Sequence, residues 1–184
     1  MTIQFSKFHG AGNDFVIIDD REGILSTLEP DYLNRMIYQI CHRHFGIGAD
    51  GVMLLANGEG VDFSMRYFNS DGKEGTMCGN GGRCISAYAY LKGIAGNDCS
   101  FMAIDGLHKA EIVDAQAGKS HIRLKMKDVS FNGPFTDPMT LDTGSPHYVT
   151  FVSNIENMDV NFLGRSIRNS APYRESGINV NFAE

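Results

Sequence analysis

Residues 76–84 read Thr-Met-Cys-Gly-Asn-Gly-Gly-Arg-Cys, a thiol set among glycines at the start of an apolar run. Glycines let backbone amides approach a ligand closely, and a helix beginning there would aim its N-terminal N–H groups and positive dipole end at the same spot. Such a place binds an anion and favours a thiolate. Cys78 is therefore expected to be the most acidic and reactive of the four cysteines, Cys41, Cys78, Cys84 and Cys99. The competing reading is a small thiol packed in a tight turn. Asn80, Asn69 and Asn13 lie in turn-rich segments, and each offers two N–H donors and an acceptor, although turns also favour asparagine for backbone reasons. His147, in Thr-Gly-Ser-Pro-His-Tyr-Val, precedes a β-rich stretch. An imidazole exchanges protons near neutral pH, and beside a thiol it promotes ionisation. Its plainer role would be that of a hydrogen-bonded edge histidine.

Other patterns argue against whole classes of function. Gly46-Ile-Gly48-Ala-Asp-Gly51 has the G-x-G-x-x-G spacing but follows a helix pattern and precedes a strand, the reverse of the dinucleotide fingerprint. No nicotinamide or flavin site is expected. The cysteines show no zinc spacing and should be reduced, and His42 and His44 would diverge on a helix, so neither metal nor cofactor is predicted. A net charge of -6 without a Lys/Arg stripe argues against nucleic acid. The first residues lack the apolar run of a secretory leader, and no stretch reaches the ~18 apolar residues of a membrane span, so a cytoplasmic protein is expected.

The elements that must hold these residues follow from periodicity. With 42% hydrophobic and 21% charged residues, the 184-residue chain reads as globular. Ile3 and Phe5, then Phe15 to Ile18, suggest strands around the loop HGAGND. Pro30 opens a helix whose buried face is Leu33, Met36, Ile37, Ile40 and Cys41, with Gly46 as a stop signal. Val52 to Ala56 and Val61 to Phe68 read as strands, and a second helix with Cys84, Tyr88 and Leu91 on its apolar positions follows Cys78 and closes at Gly93. A strand to Asp105, the Asp105-Gly106 turn and a partner strand through Ala110 to Val113 would complete a first unit spanning 1–117. The alternation of Ile122, Leu124 and Met126 is read as opening a second unit, 118–184. That unit would hold a loop at 131–138, a strand from Tyr148 to Val152, a short helix with Leu163 and Ile167, and a last strand from Ile178 to Phe182.

Six segments in order resemble the diaminopimelate epimerase family: Phe8 to Phe15, Gly46 to Gly51, Tyr67 to Gly72, Met77 to Cys84, Thr143 to His147 and Asn179 to Phe182. The most specific is Met-Cys-Gly-Asn-Gly-Gly-Arg-Cys. The resemblance implies an α/β fold with mixed sheets, built of two pseudo-symmetric units that each wrap a sheet around a central helix. It implies epimerisation of LL- to meso-diaminopimelate, a step toward lysine and peptidoglycan, without pyridoxal phosphate or metal, in a full-length homodimer. By that likeness Cys78 is one of two thiols on opposite faces of the α-carbon, and His147 is its partner. Gly79 and Asn80 bind the α-carboxylate, and Asn13, Asn69 and Asn179 hold the other polar groups. Two thiols in opposite protonation states can serve as acid and base and exchange roles.

The chain departs from the family pattern in two places. The family's second cysteine, in an Ala-Cys-Gly-Thr-Gly motif, and the Glu-Arg pair before it are not among these residues. The expectation is a chain representing roughly the first two thirds of a member, with an incomplete second unit and no epimerase activity alone. Ser145 stands where many members carry asparagine, and no role is carried over to it. A proline or hydroxyproline racemase, or a phenazine-type isomerase, is the alternative within the superfamily. A cysteine hydrolase using Cys78 and His147, or a non-catalytic binding remnant, is the alternative outside it.

Overall fold

The computed structural model describes residues 2–116, 118–129 and 136–184, which divide into two compact units, Met1–Lys125 and Met126–Glu184. Most of the loop expected at 131–138 lies outside the described residues.

The first unit opens with β1 (Ser6–Gly10) and β2 (Asn13–Asp19), an antiparallel hairpin. Its turn is Ala11 and Gly12 alone, both at positive φ (53° and 88°), as a two-residue hairpin between right-twisted strands requires. The expected loop HGAGND is thus mostly strand, and Ile3 and Phe5 precede it, because the pairing begins at Ser6 with Ile17. Helix α1 (Pro30–Cys41) then leads to β3 (Gly51–Ala56), parallel to β2, and β4 (Phe63–Asn69) returns antiparallel to β3. The short β5 (Glu74–Gly75) pairs with β4 and delivers the chain to α2 (Gly79–Leu91). Beyond α2 come β6 (Asp98–Ala103), β7 (Gly106–Gln116) and β8 (Lys119–Leu124), giving the sheet order β1-β2-β3-β4-β6-β7-β8 with β5 beside β4.

Helix α2 packs against β1 at one edge of this sheet and against β7 and β8 at the other. One helix can touch both edges only if the sheet curls around it. Accordingly α2 is buried on nearly all sides, through Gly81, Gly82, Cys84, Ile85, Ser86, Ala87, Tyr88 and Ala89, as a helix with apolar neighbours all round must be. Leu91, at its end, is exposed. Strand alternation divides the core: Phe15, Ile17, Met53 and Leu55 face α2, whereas Val16, Ile18, Val52 and Leu54 face Leu33, Ile37 and Cys41 of α1. Strands covered on both faces read as unbroken apolar runs, which is why FVII and VMLL carry no polar alternation.

Strand β8 closes this first sheet by pairing with β7. The alternation of Ile122 and Leu124 marks a half-exposed strand, but it does not say which sheet the strand joins, and the strand read as opening the second unit ends the first. The second unit has β9 (Met139–Asp142) antiparallel to β10 (Pro146–Phe151), and β11 (Asn179–Ala183) parallel to β10. A single 3-10 turn and helix α3 (Val160–Arg168) make the crossover, with α3 packed on β11. No residue of α3 is buried. Only Met139 and Ile178 are buried among the described residues of this unit. His147, read as preceding a strand, lies inside β10 opposite Leu141 on one side and Asn179 on the other.

Candidate active site

Cys78 is the N-cap of α2, in extended backbone conformation, and its Sγ accepts the Gly81 N–H at 3.2 Å. A Cβ on Gly81 would lie 3.3 Å from that sulfur and 3.3 Å from Met53 Sδ, tighter than ordinary contact, so glycine there permits the approach of amide to thiol. The sulfur is half-buried against the α2 core. Burial pushes the thiol up from its ordinary value, while the amides of Gly81 and Asn80 and the charge of Arg83 pull it down. The resting group is therefore a thiol rather than the thiolate expected from the helix dipole alone. Cys41, Cys84 and Cys99 are buried more completely, and burial drives them to about 11, about 12 and about 11. Of the four, Cys78 alone combines partial exposure with backbone amide donors.

Gly79, Asn80 and Asn13 meet at the same helix end. Gly79 is the first residue of α2. Asn80 accepts a hydrogen bond from Arg83 Nη2 through its Oδ1, which leaves its NH2 as the end suited to an acceptor. The β1–β2 hairpin meets this turn closely, since a Cβ on Gly10 would lie 3.2 Å from the Asn80 carbonyl oxygen. Asn13, the first residue of β2, places Oδ1 4.0 Å from Cys78 Sγ and donates through Nδ2 to Asp50 Oδ2 at 2.7 Å. Asn69 ends β4 and accepts from the Tyr67 hydroxyl at 3.0 Å. Tyr67 is itself pushed up by burial first and by the charge of Cys78 second.

In the second unit His147 anchors a polar cluster. Asn181 Nδ2 donates to His147 Nδ1 at 3.0 Å, so Nδ1 is the bare nitrogen and Nε2–H faces Ser145 Oγ at 3.3 Å. Asn179 Nδ2 reaches Ser145 Oγ at 3.3 Å and the Pro146 carbonyl oxygen at 3.3 Å. Asn181 and Ser145 were not among the site residues read from the sequence. The signal for Asn181 was present in Asn-Val-Asn, since period two puts both asparagines on one face of a strand.

The patterns set aside earlier have structural roles. Gly46 packs on the end of α1, where an added Cβ would meet the Gln39 carbonyl oxygen at 2.0 Å, and Gly51 packs on β4, where an added Cβ would lie 2.5 Å from the Phe68 carbonyl oxygen. His42 Nδ1 accepts the His44 and Phe45 amides at 3.2 and 3.1 Å, so His42 caps the end of α1 and His44 lies beyond the helix. Among the described residues no group of three or more His, Cys, Asp or Glu side chains could hold a metal ion. Nor is any helix among them long and apolar enough to cross a membrane.

Residues 5–131 match the family described as diaminopimelate epimerase. Among curated relatives, the diaminopimelate epimerase of Flavobacterium psychrophilum is 46% identical over 96% of this chain and 66% of its own length. That of Chlorobaculum tepidum is 40% identical over 95% and 67%, and that of Aquifex aeolicus 37% identical over 99% and 69%. The chain spans about two thirds of the length of these relatives. Among solved structures, a Bacillus anthracis phenazine biosynthesis protein of the PhzF family has a TM-score of 0.58 at 17% identity, covering 84% of this chain and 56% of its own. A probable proline racemase from Agrobacterium radiobacter K84 has a TM-score of 0.57 at 16% identity, covering 90% and 57%. At those identities the likeness is one of fold, and it confirms the mixed α/β architecture with a curled sheet.

Proposed function

The chain belongs to the diaminopimelate epimerase family, and from that premise we propose that Cys78 is one of two thiols that invert an α-carbon of diaminopimelate, LL to meso, without a cofactor. The observation that carries this reading is the half-buried sulfur at the start of α2, 3.2 Å from the Gly81 amide and flanked by Asn13, Gly79 and Asn80. The substrate α-carboxylate binds at this helix end, where free N–H groups and the dipole favour an anion. The α-proton of an amino acid is a very weak acid, so the site must also stabilise the charge that develops as the proton leaves. Amide donors fixed in place before the reaction do this without reorganising.

In this reading Cys78 holds or takes the proton on one face of the α-carbon. His147 assists the thiol chemistry, Asn69 and Asn179 fix the distal polar groups, and the full-length protein works as a cytoplasmic homodimer. None of Cys41, Cys84 or Cys99 suits the opposite face, since all three are buried and held as thiols. These 184 residues supply one working thiol and by themselves do not epimerise.

Alkylation of Cys78 in the presence of ligand tests the proposal. LL-Diaminopimelate should protect Cys78 from iodoacetamide, whereas acetate at the same concentration should not. Unchanged labelling in saturating diaminopimelate would overturn the assignment of the site, and a stable acyl adduct on Cys78 would point to a hydrolase instead. Interconversion of the stereoisomers by this chain at an ordinary turnover of about 10 per second would refute the single-thiol reading.

A further inference from the structure

Asn13 stands between the sulfur of Cys78 and a network of charges behind it. Its Nδ2 donates to Asp50 Oδ2 at 2.7 Å, and its Oδ1 lies 4.0 Å from Cys78 Sγ. A carboxylate can only accept, so the two ends of the Asn13 amide are not interchangeable: the NH2 must face Asp50, and the carbonyl must face the thiol. Asp50 is held in turn. Its Oδ1 accepts from Arg43 Nη2 at 2.7 Å, and its Oδ2 also accepts the Asp14 amide at 3.1 Å. Its own N–H donates to the Asp14 carbonyl oxygen at 2.9 Å. Arg43 bridges Asp50 and Asp14, and Lys7 pairs with Asp14 at 2.9 Å. Arg43 first, and then Lys7, hold the Asp14 carboxyl well below the usual carboxylate range.

We propose that Asp50, braced by Arg43, is a positioning residue that locks the Asn13 amide so that its carbonyl, and never its NH2, faces the sulfur of Cys78. A carbonyl oxygen can accept from S–H and repels a thiolate, so this contact selects the protonated sulfur. The other groups facing the sulfur are the Gly81 and Asn80 amides and the Arg83 charge, which favour thiolate, and Tyr67 and Cys84, whose anionic forms would oppose it. Asn13 thus counterweights the helix end. The inference rests on the two-thiol reading only for its consequence, that Cys78 is the proton-bearing partner before substrate arrives.

The test is the pH profile of iodoacetamide alkylation at Cys78, read by mass spectrometry on the 184-residue chain. In Asp50→Asn the constraint on Asn13 is lost, its NH2 can turn to the sulfur, and the midpoint should fall by about one pH unit. Below the midpoint the thiolate fraction rises about tenfold, and because nucleophilicity falls with pKa the rate should rise about threefold. Asp50→Glu should keep the parent profile. In an Asn13→Ala background Asp50→Asn should shift nothing, because the group through which it acts is gone. Asp50→Asn with the parent midpoint, or an equal shift in the Asn13→Ala background, would overturn the proposal.

Labelling of Cys41, Cys84 and Cys99 reports unfolding in the same spectra. If Asp50→Asn unfolds, nitrogen-15 NMR of the parent chain decides: the Asn13 NH2 should resist exchange, and exchange as fast as that of free asparagine would refute the lock. The alkylation profile reads the sulfur whether or not any substrate turns over. A chain that fails to bind diaminopimelate would sink the proposed function and leave this inference standing.

Discussion

Gly46→Ala should destabilise the first unit by about 3 kcal/mol, and the figure can be built from the contacts around that glycine. An added Cβ would stand 2.0 Å from the Gln39 carbonyl oxygen, 2.6 Å from that of Ile40 and 3.0 Å from that of His42. These are backbone atoms and cannot rotate aside, so the turn must lift off the end of α1. That turn closes the helix. The amides of Ile47 and Gly48 donate to the Ile40 carbonyl at 2.9 and 3.0 Å, and Ala49 donates to that of Cys41 at 3.1 Å. Losing the bonds at these two carbonyls costs about 1 kcal/mol each, and the overpacking itself adds about 1 to 3 kcal/mol. Against this, alanine lowers the entropy of the unfolded chain by about 0.4 to 1 kcal/mol. With a urea slope of about 2 kcal/mol per molar, the midpoint should fall by about 1.5 M in a titration followed by circular dichroism. Gly96→Ala is the control, since nothing lies within 4 Å of its Cβ position, and it should be neutral or slightly stabilising. Because Arg43 and Asp50 flank the turn, the Cys78 alkylation profile should move as well. A Gly46→Ala midpoint equal to the parent's would refute the argument that these carbonyls exclude a methyl group.

Phe101, fully buried and stacked on Phe63 at 5.1 Å, secures the short β4–β6 junction, and Phe101→Ala should cost about 3 to 5 kcal/mol in the same titration. Stability should also fall in alkali. Burial raises Cys41, Cys84 and Cys99 to about 11, about 12 and about 11, so the stability they confer is complete below the unfolded value near about 8.5 and is lost as pH rises above it. The loss should approach about 1.4 kcal/mol per thiol per pH unit, and Cys99→Ala should flatten the slope; parallel curves for parent and variant would contradict it. In the second unit, nitrogen-15 NMR should find His147 protonated on Nε2, and Asn181→Asp, which replaces a donor with an acceptor, should move the proton to Nδ1. The same tautomer in both proteins would show that Asn181 does not orient the ring.

Some of this protein was legible before any fold was known. Glycines around Cys78 followed by an apolar run mark a helix start with a thiol at its cap, because capping and helix periodicity are properties of a few adjacent residues. The runs FVII and VMLL likewise announced strands, and the ordered motifs announced the family. The misreadings have a common cause. Period two identified the strand at Ile122 and Leu124 as half-exposed but carried no information on its partner, and β8 turned out to belong to the first sheet. HGAGND looked like a loop because its residues favour turns, yet pairing of His9 with Asp14 and Gly10 with Asn13 drew all but two of them into strands.

The division between the two kinds of information is physical. Local sequence determined where α2 begins, which cysteine caps it, and which strands are apolar on both faces, since backbone sterics and hydrophobic periodicity act within a turn or two of chain. Tertiary structure alone decided that Asn13, Asp50 and Arg43 stand in line behind Cys78, that burial outweighs the helix dipole at its sulfur, and that Asn181 of β11 reaches the Nδ1 of His147. Those outcomes depend on desolvation and on hydrogen bonds that join residues 7 to 65 positions apart, and no spacing rule encodes them.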